Sequence, residues 1–302
     1  MQHILPGFTV LEQETAKLAA TAGANCTPEA PELREGYHAA FDAWVAVSHL
    51  RFGPSEQDDR AFALAFWPDP RGSTPGTLAG LIRSADPVVE TSEGFQQVSI
   101  AGRGFYALEF LLYDPQFANA DAEYLCALIQ AVANDIALNS AEISSEWRTT
   151  YAALMVDANN DTYRSDNEAV RQLFTALATG LEFTSQARLG RPMGTFERPR
   201  PNRAEARRSG RSLRHVSLSL AATRDLANSL SESDAELDAL FAKAINQAGD
   251  LDDPAFANVA TQQGRFRVEA LQSSIEDIRR YVSGTLAPRL GIEAGFNSLD
   301  GD

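Results

Sequence analysis

SIAGRGFYALEFLLYD, residues 99–114, is the stretch from which the fold and a candidate site are best predicted. Two glycines, Gly102 and Gly104, precede a run in which apolar residues recur at steps of three and four, the period of an α-helix. One carboxylate, Glu109, lies within this run, and Tyr106 precedes it by three residues, so both side chains should share one helix face. A buried carboxylate is costly unless it is paired or ligated. The pair is therefore the first place to look for function.

The same helical period extends along most of the chain, from Leu11 to Leu286, and no alternating run bounded by turns indicates a strand. The sequence therefore predicts an all-α fold. Helix starts are expected where a capping residue or a proline precedes a periodic run. These starts are Thr27–Pro28, Ser165 with Glu168, Asn202 with Glu205, and Ser233 with Glu236.

Composition excludes some classes of function. The 302 residues carry a net charge of -15, which argues against binding to nucleic acid or to an anionic membrane surface. No run reaches the roughly 18 apolar residues of a membrane span. Two cysteines, Cys26 and Cys126, fall in predicted helices. A disulfide between them is the favoured interpretation, and two buried free thiols are the alternative.

Two domains are predicted, residues 1–163 and 164–302, with the boundary near Tyr163 in a polar segment. Leu108-Glu109-Phe110 in the first half is echoed by Leu181-Glu182-Phe183 in the second, which adds Glu182 to the candidate site. The polar segment itself approaches an EF-hand calcium loop, but Thr162 stands where that loop needs glycine. A solvated linker is the simpler interpretation.

Other candidate ligands are weaker. His38, Asp42 and His49 fall on one stripe of the second helix and could bind a metal, or could border the solvated side of that helix. Nine arginines between Arg188 and Arg214 could recognise a carboxylate, a phosphate or a haem propionate, or could neutralise the acidic remainder of the chain. Neither H-E-x-x-H nor G-x-S-x-G occurs, so no catalytic residue is predicted.

Several ordered motifs resemble the imelysin-like proteins, a bacterial family filed under metallopeptidases and linked to iron uptake. Their signature is G-x-H-x-x-E followed by F/Y-L-L, and residues 104–112 read GFYALEFLL, with Tyr106 in place of the histidine. Further segments similar to that family are HLRFGP (49–54), FWPD (66–69), GLEF (180–183), RSGRSL (208–213) and GFNSLDGD (295–302). The resemblance therefore spans nearly the whole chain.

This resemblance implies two helical bundles packed face to face, with a ligand pocket at their interface. It implies a ligand site formed by Tyr106, Glu109, Glu182, Arg208, Ser209 and Ser212. As hard oxygen donors, Tyr106 and Glu109 suit Fe(III) better than Zn(II), so iron is the expected cofactor. The competing interpretation is that Tyr106 fills the imidazole's space and hydrogen-bonds Glu109 without any metal.

The expected function is that of an exported, periplasmic or cell-envelope protein that binds a metal ion or small molecule in iron acquisition. The first residues, MQHILPGF, have neither the basic nor the apolar region of a signal peptide, so export is implied by the resemblance, with the signal already removed. A metallopeptidase is one alternative. Another is a module that binds a peptide or a cell-envelope protein without metal.

Overall fold

The computed structural model describes residues 1–292, and these residues form helices joined by turns and loops, without a strand. The all-α prediction is confirmed. The family-like ending GFNSLDGD lies outside the described residues. Within the described part, no helix combines the length and the apolar character needed to cross a membrane.

The helices form two compact units. Unit 1 comprises Met1–Trp44 and Gly53–Thr149, and unit 2 comprises Val45–Phe52 and the chain from Thr150 onward. The division lies before the polar segment in which the sequence placed the boundary, and it assigns a short early segment to unit 2. Unit 1 contains α1 (Ile4–Ala24), most of α2 (Pro31–Val47), α3 (Arg60–Leu64), α4 (Ser73–Ser84), α5 (Ser92–Phe95), α6 (Gly104–Tyr113) and α7 (Ala122–Glu146).

Unit 2 contains the remaining helices of the described chain: α8 (Ala152–Val156), α9 (Asp166–Glu182), α10 (Gly190–Met193), α11 (Ser212–Ser231), α12 (Ala235–Gly249), α13 (Gln262–Tyr281) and α14 (Ala287–Arg289). Three helical stretches widen into π-helical turns, at Trp147–Tyr151, Phe183–Leu189 and Val282–Leu286. Such turns are rare in proteins as a whole, but those that occur are often found at functional sites.

Apolar side chains at helical spacing build the core of unit 1. Helices α1 and α7 pack along each other, and α6 packs on α7. Phe8 stacks on Trp147 with ring centroids 5.6 Å apart, and Phe41 of α2 stacks on Phe105 of α6 at 4.6 Å. The Phe8–Trp147 pair thus joins α1 to the end of α7, and the Phe41–Phe105 pair holds α6 against α2.

A disulfide joins Cys26 to Cys126 within unit 1, with the two Cα atoms 5.1 Å apart. Cys26 follows α1, and Cys126 lies in the first turns of α7. The bond therefore fastens two helices that also pack along each other.

In unit 2, α9 packs on α11, α11 on α12, and α12 on α13. Leu181, Leu220, Phe241 and Ile275, one from each of these four helices, are fully buried. Apolar side chains from these four helices therefore form the core of unit 2.

Several helix starts differ from the predicted ones. Helix α2 begins at Pro31 rather than Pro28, although proline does occupy its first position. Ser165 caps α9 as predicted, whereas Asp234 rather than Ser233 caps α12 by accepting from two amides. The helix expected from Asn202 begins only at Ser212, because the intervening residues form turns.

The polar segment around the predicted boundary is mostly exposed to solvent, but one of its side chains is packed inside the protein. Tyr163 is buried, and its hydroxyl lies 2.8 Å from that of Tyr151. Burial, followed by this hydrogen bond, raises the pKa of Tyr163. The Glu168 carboxylate accepts from the amide of Arg164, so it serves the start of α9.

Candidate functional site

The start of α6 explains the glycine of the family-like motif. Gly104 has φ +75°, and a Cβ there would lie 2.2 Å from the carbonyl oxygen of Ala63 and 2.3 Å from that of Leu64. Only glycine allows this left-handed backbone and so close an approach to the end of α3. Gly104 thereby fixes the position of the tyrosine and the glutamate that follow.

A buried ion pair holds the same end of α6 against α7. Arg103, the N-cap residue, donates through Nε and Nη2 to both carboxylate oxygens of Asp135, at 2.9 and 2.6 Å. Burial raises the pKa of Asp135, opposed by the hydrogen bonds from Arg103. Arg103 also donates to the carbonyl of Gln96, so the guanidinium is satisfied on several sides.

Tyr106 and Glu109 lie three residues apart in α6 and are both buried, with 6% and 2% of their surface exposed. The Tyr106 ring meets Phe41 edge-on at 5.2 Å and lies 6.3 Å from Trp67. Tyr106 and Glu109 each interact with other residues of the protein. The motif therefore places a phenol and a carboxylate in an aromatic, apolar part of unit 1.

The residues present do not fit a catalytic zinc ion. Among residues 1–292 no group of three or more His, Cys, Asp or Glu side chains is arranged to hold a metal. The Tyr106–Glu109 pair offers two oxygen donors, whereas catalytic zinc takes three protein ligands. These donors suit a hard ion such as Fe(III), but they could supply only part of its ligand shell.

The predicted histidine stripe of α2 is used for other contacts. Nε2 of His38 lies 2.8 Å from the Tyr113 hydroxyl, and the two rings stack. His49 belongs to unit 2 and is buried there. A Cβ atom added to Gly180 would lie only 2.7 Å from the Cβ atom of His49. The glycine of the GLEF segment therefore makes room for this histidine.

The other predicted site residues lie in unit 2, whereas Tyr106 and Glu109 lie in unit 1. Glu182, at the end of α9, has a side chain 32% exposed, and Arg279 donates to it at 3.1 Å. Arg208 and Ser209 are half-buried in the turns before α11, and Ser209 donates to the carbonyl of Ala206. Ser212 is buried and donates to the carbonyl of Glu205. The assembly of all six into one site stays a prediction.

Sequence reasoning missed a buried polar cluster in unit 2. Glu205 Oε2 accepts from Arg188 Nε at 2.7 Å and lies 3.2 Å from Nδ1 of His215. Arg188 also donates to the hydroxyls of Ser219 and Thr184, at 3.1 and 3.3 Å. All five side chains are at most 3% exposed. We call these residues the Arg188 cluster.

The predicted helix start at Asn202 with Glu205 is wrong, and Glu205 has another role. Its carboxylate is buried opposite Arg188, which lies in the π-helical segment Phe183–Leu189. One sequence signal pointed to Glu205: it lies just before the family-like segment RSGRSL. The structure links the two, because the hydroxyl of Ser212 in that segment donates to the backbone carbonyl of Glu205.

The fold and the motif define an all-α protein of two helical units, with a variant of the imelysin signature on a buried helix. The family model of Imelysin, named as a peptidase family, matches residues 4–282. The chain therefore belongs to the imelysin family, and the resemblance found in the sequence is confirmed.

Two solved structures share the fold. An imelysin-like protein from Psychrobacter arcticum 273-4 superposes with a TM-score of 0.77 at 20% identity, covering 97% of this chain and 93% of that one. A protein from Parabacteroides distasonis ATCC 8503, provisionally named an iron-regulated protein A precursor, gives 0.74 at 13% identity, covering 95% and 91%. At these identities the similarity shows the fold alone. A comparison with curated proteins finds no match.

Proposed function

We propose that this protein is an exported binding protein of iron acquisition that takes a metal ion or small ligand at Tyr106 and Glu109, without peptidase activity. The observation that carries the proposal is the buried phenol–carboxylate pair on α6, where the family signature has imidazole and carboxylate. Phenol and carboxylate oxygens are hard donors, which suit a hard metal ion or a ligand that forms hydrogen bonds.

The chemistry of the pair favours binding over hydrolysis. A zinc hydrolase needs about three protein ligands, an open coordination position and a general base. Tyrosine in place of histidine removes a nitrogen donor that suits zinc and introduces an oxygen donor that suits Fe(III). The same pair could bind an organic ligand through hydrogen bonds from the phenol and to the carboxylate.

Export and the link to iron have separate support. Disulfides persist in oxidising compartments such as the periplasm, and unit 1 contains one. One structural relative has a name that describes it as iron-regulated and as a precursor.

The test is titration of the purified protein with Fe(III), Fe(II), Zn(II) and Cu(II), monitored by calorimetry and absorbance. We expect stoichiometric Fe(III) binding with a phenolate-to-iron charge-transfer band. Tyr106→Phe should abolish the band, and Glu109→Gln should weaken binding at least tenfold. Tyr113→Phe, on the same helix but bonded to His38, is the matched control and should leave both unchanged.

Three results would count against the proposal. Peptide hydrolysis that is sensitive to chelators and lost in Glu109→Gln would establish the metallopeptidase alternative. If Tyr106→Phe and Tyr113→Phe bind iron as the parent protein does, the motif is not the iron site. Capture of a cell-envelope protein that survives both Tyr106→Phe and Glu109→Gln would favour the protein-binding alternative.

A further inference from the structure

A cavity of about 330 Å³ lies within unit 1, between α7 and the chain that leads into α5. Its walls come from the 3₁₀-helical turn Pro87–Glu90, from α5 and from one face of α7 between Ala127 and Leu138. The six predicted site residues are not among the described residues that line it. Small-molecule sites span roughly 300–1,000 Å³, so the cavity suits a small ligand.

Hydrogen bonds fasten the wall opposite α7 at both of its ends. At one end, the Tyr124 hydroxyl of α7 donates to the carbonyl of Asp86 at 3.0 Å. At the other end, Arg103 donates to the carbonyl of Gln96 at 3.1 Å and to the carboxylate of Asp135 in α7. The protein's own bonds therefore form the cavity, and no ligand is needed to shape it.

One lining residue is a buried carboxylate that can accept a further hydrogen bond. Asp135 is 3% exposed and lines the cavity. Its Oδ1 accepts from Arg103 at 2.6 Å and from Asn139 at 3.2 Å, whereas its Oδ2 accepts from Arg103 at 2.9 Å. Each carboxylate oxygen has room for two hydrogen bonds, so Oδ2 can accept one more, from a ligand. Arg103 and Asn139 already hold the carboxylate in a fixed orientation.

The other polar lining residues add acceptors and neutral donors. Gln130 donates through Nε2 to the carbonyl of Ala22 at 3.2 Å, which leaves its Oε1 as an acceptor. Asn134 and Ser92 are exposed and contribute an amide and a hydroxyl. The described lining contains no lysine, arginine or histidine. A ligand here must therefore bring hydrogen-bond donors, and an anionic group would find no cation in the lining.

The lining does not call for a cationic ligand either. The charge of Asp135 is balanced by Arg103, with 2.6 Å between the two groups, and the other charged lining residue, Glu90, is exposed to solvent. Apolar surface completes the lining, since Phe95 is buried and Leu138 is 39% exposed. Neutral sugars match this combination, because they carry several hydroxyl groups on a ring whose C–H groups can pack against apolar side chains.

We propose that this cavity binds a neutral monosaccharide, and that Asp135, Asn134 and Gln130 are its main hydrogen-bonding residues. Asp135 would accept from a sugar hydroxyl through Oδ2, while the two amide side chains can both donate and accept. The site does not depend on the Tyr106–Glu109 pair, because neither of those residues is among the described residues that line the cavity.

The test is calorimetric titration of the purified protein with glucose, galactose and mannose. We expect saturable binding of at least one of these sugars. The uronic acid and the 2-amino sugar that correspond to the tightest-binding hexose are the charged comparisons. The uronic acid should bind more weakly than the neutral sugar, because its carboxylate would meet Asp135 and no lining cation. The amino sugar should gain nothing, because Arg103 already balances Asp135.

Ala127→Leu and Ala137→Leu are a matched pair of variants. Both alanines are half-buried in α7, but Ala127 lines the cavity and Ala137 does not. Ala127→Leu should fill the cavity and abolish saturable binding, whereas Ala137→Leu should bind as the parent protein does. Asn134→Ala should weaken binding by roughly two- to tenfold, the effect of losing one neutral hydrogen bond. Thermal unfolding of each variant checks that it is folded.

Three results would overturn the proposal. The first is that none of the three hexoses binds saturably to the folded parent protein. The second is that Ala127→Leu binds the sugar as tightly as Ala137→Leu, which would place the sugar elsewhere. The third is that the uronic acid or the amino sugar binds far more tightly than the neutral sugar, which would make the ligand an ion. Tyr106→Phe should leave sugar binding unchanged, so failure here is distinguishable from failure of the iron proposal.

Discussion

Three glutamates that look alike in the sequence have different surroundings in the structure. Glu109 is buried on α6, Glu182 is partly exposed and paired with Arg279, and Glu205 is buried against Arg188. The echo between residues 108–110 and 181–183 therefore does not extend to the burial of their carboxylates. A carboxylate's role follows from its burial and its partners, which identity and spacing alone do not give.

At the scale of a single residue, Glu205→Gln should destabilise the protein by about 3–5 kcal/mol, because it leaves the Arg188 guanidinium buried without a compensating charge. Arg188 is 3% exposed, so water cannot replace the lost carboxylate. Urea denaturation of the parent and the variant measures the difference. Glu197→Gln, at an exposed position nearby, should change stability by less than about 0.5 kcal/mol. Equal effects of the two substitutions would show that the Arg188 cluster contributes no special stability.

At the scale of elements, each unit contains an aspartate followed by proline that binds the start of a helical segment. Asp69 accepts from the amides of Ser73 and Thr74, and Asp253 accepts from those of Ala257 and Asn258. Burial by itself would raise the pKa of Asp69, but these amide hydrogen bonds outweigh it and lower the pKa. In both units the aspartate accepts from the amides of the residues four and five positions after it. This local similarity between the two units does not show in their hydrophobic periodicity.

The contact between α3 and α6 yields a second prediction. Gly104→Ala should destabilise the protein by at least about 1–2 kcal/mol, because alanine is strained at this left-handed backbone conformation and its Cβ would collide with two carbonyl oxygens. Thermal and urea unfolding measure the change.

Gly80→Ala is the matched control for that substitution. Gly80 lies inside α4, and a Cβ there meets nothing within 4 Å. Alanine at such a position should stabilise the helix by roughly 0.5–1 kcal/mol. If both substitutions stabilise the protein, the close approach at Gly104 is not present in solution.

At the scale of the whole molecule, the disulfide links positions 100 residues apart within unit 1. In the chain-entropy model, a cross-link over a loop of this length stabilises by about 4–5 kcal/mol. Reduction should therefore lower the urea midpoint of the parent protein markedly. The double variant Cys26→Ser/Cys126→Ser should resemble the reduced protein and should not respond to reductant. An unchanged midpoint on reduction of the parent would contradict this prediction.

The helices themselves were predictable, whereas several of their ends were not. Periodic residues such as Leu177, Leu271 and Ile275 are buried as their spacing predicts. Helix ends depend on which side chain reaches a free amide, and Ser233 and Asp234 are equally good caps in a sequence. The structure selects Asp234, whose carboxylate accepts from two amides and also from the hydroxyl of Tyr281 in α13. The contact with Tyr281 joins two different helices, so it depends on the tertiary structure and not on the local sequence.

The sequence by itself determined the fold class, the family and the motif on α6, because periodicity and residue order are local properties of the chain. It also indicated the pairing of Cys26 with Cys126 as the favoured interpretation. Only the tertiary structure decided that Glu205 pairs with Arg188, and that Arg103 pairs with Asp135. Those contacts join side chains from different elements, and their energies depend on burial and distance, which folding sets.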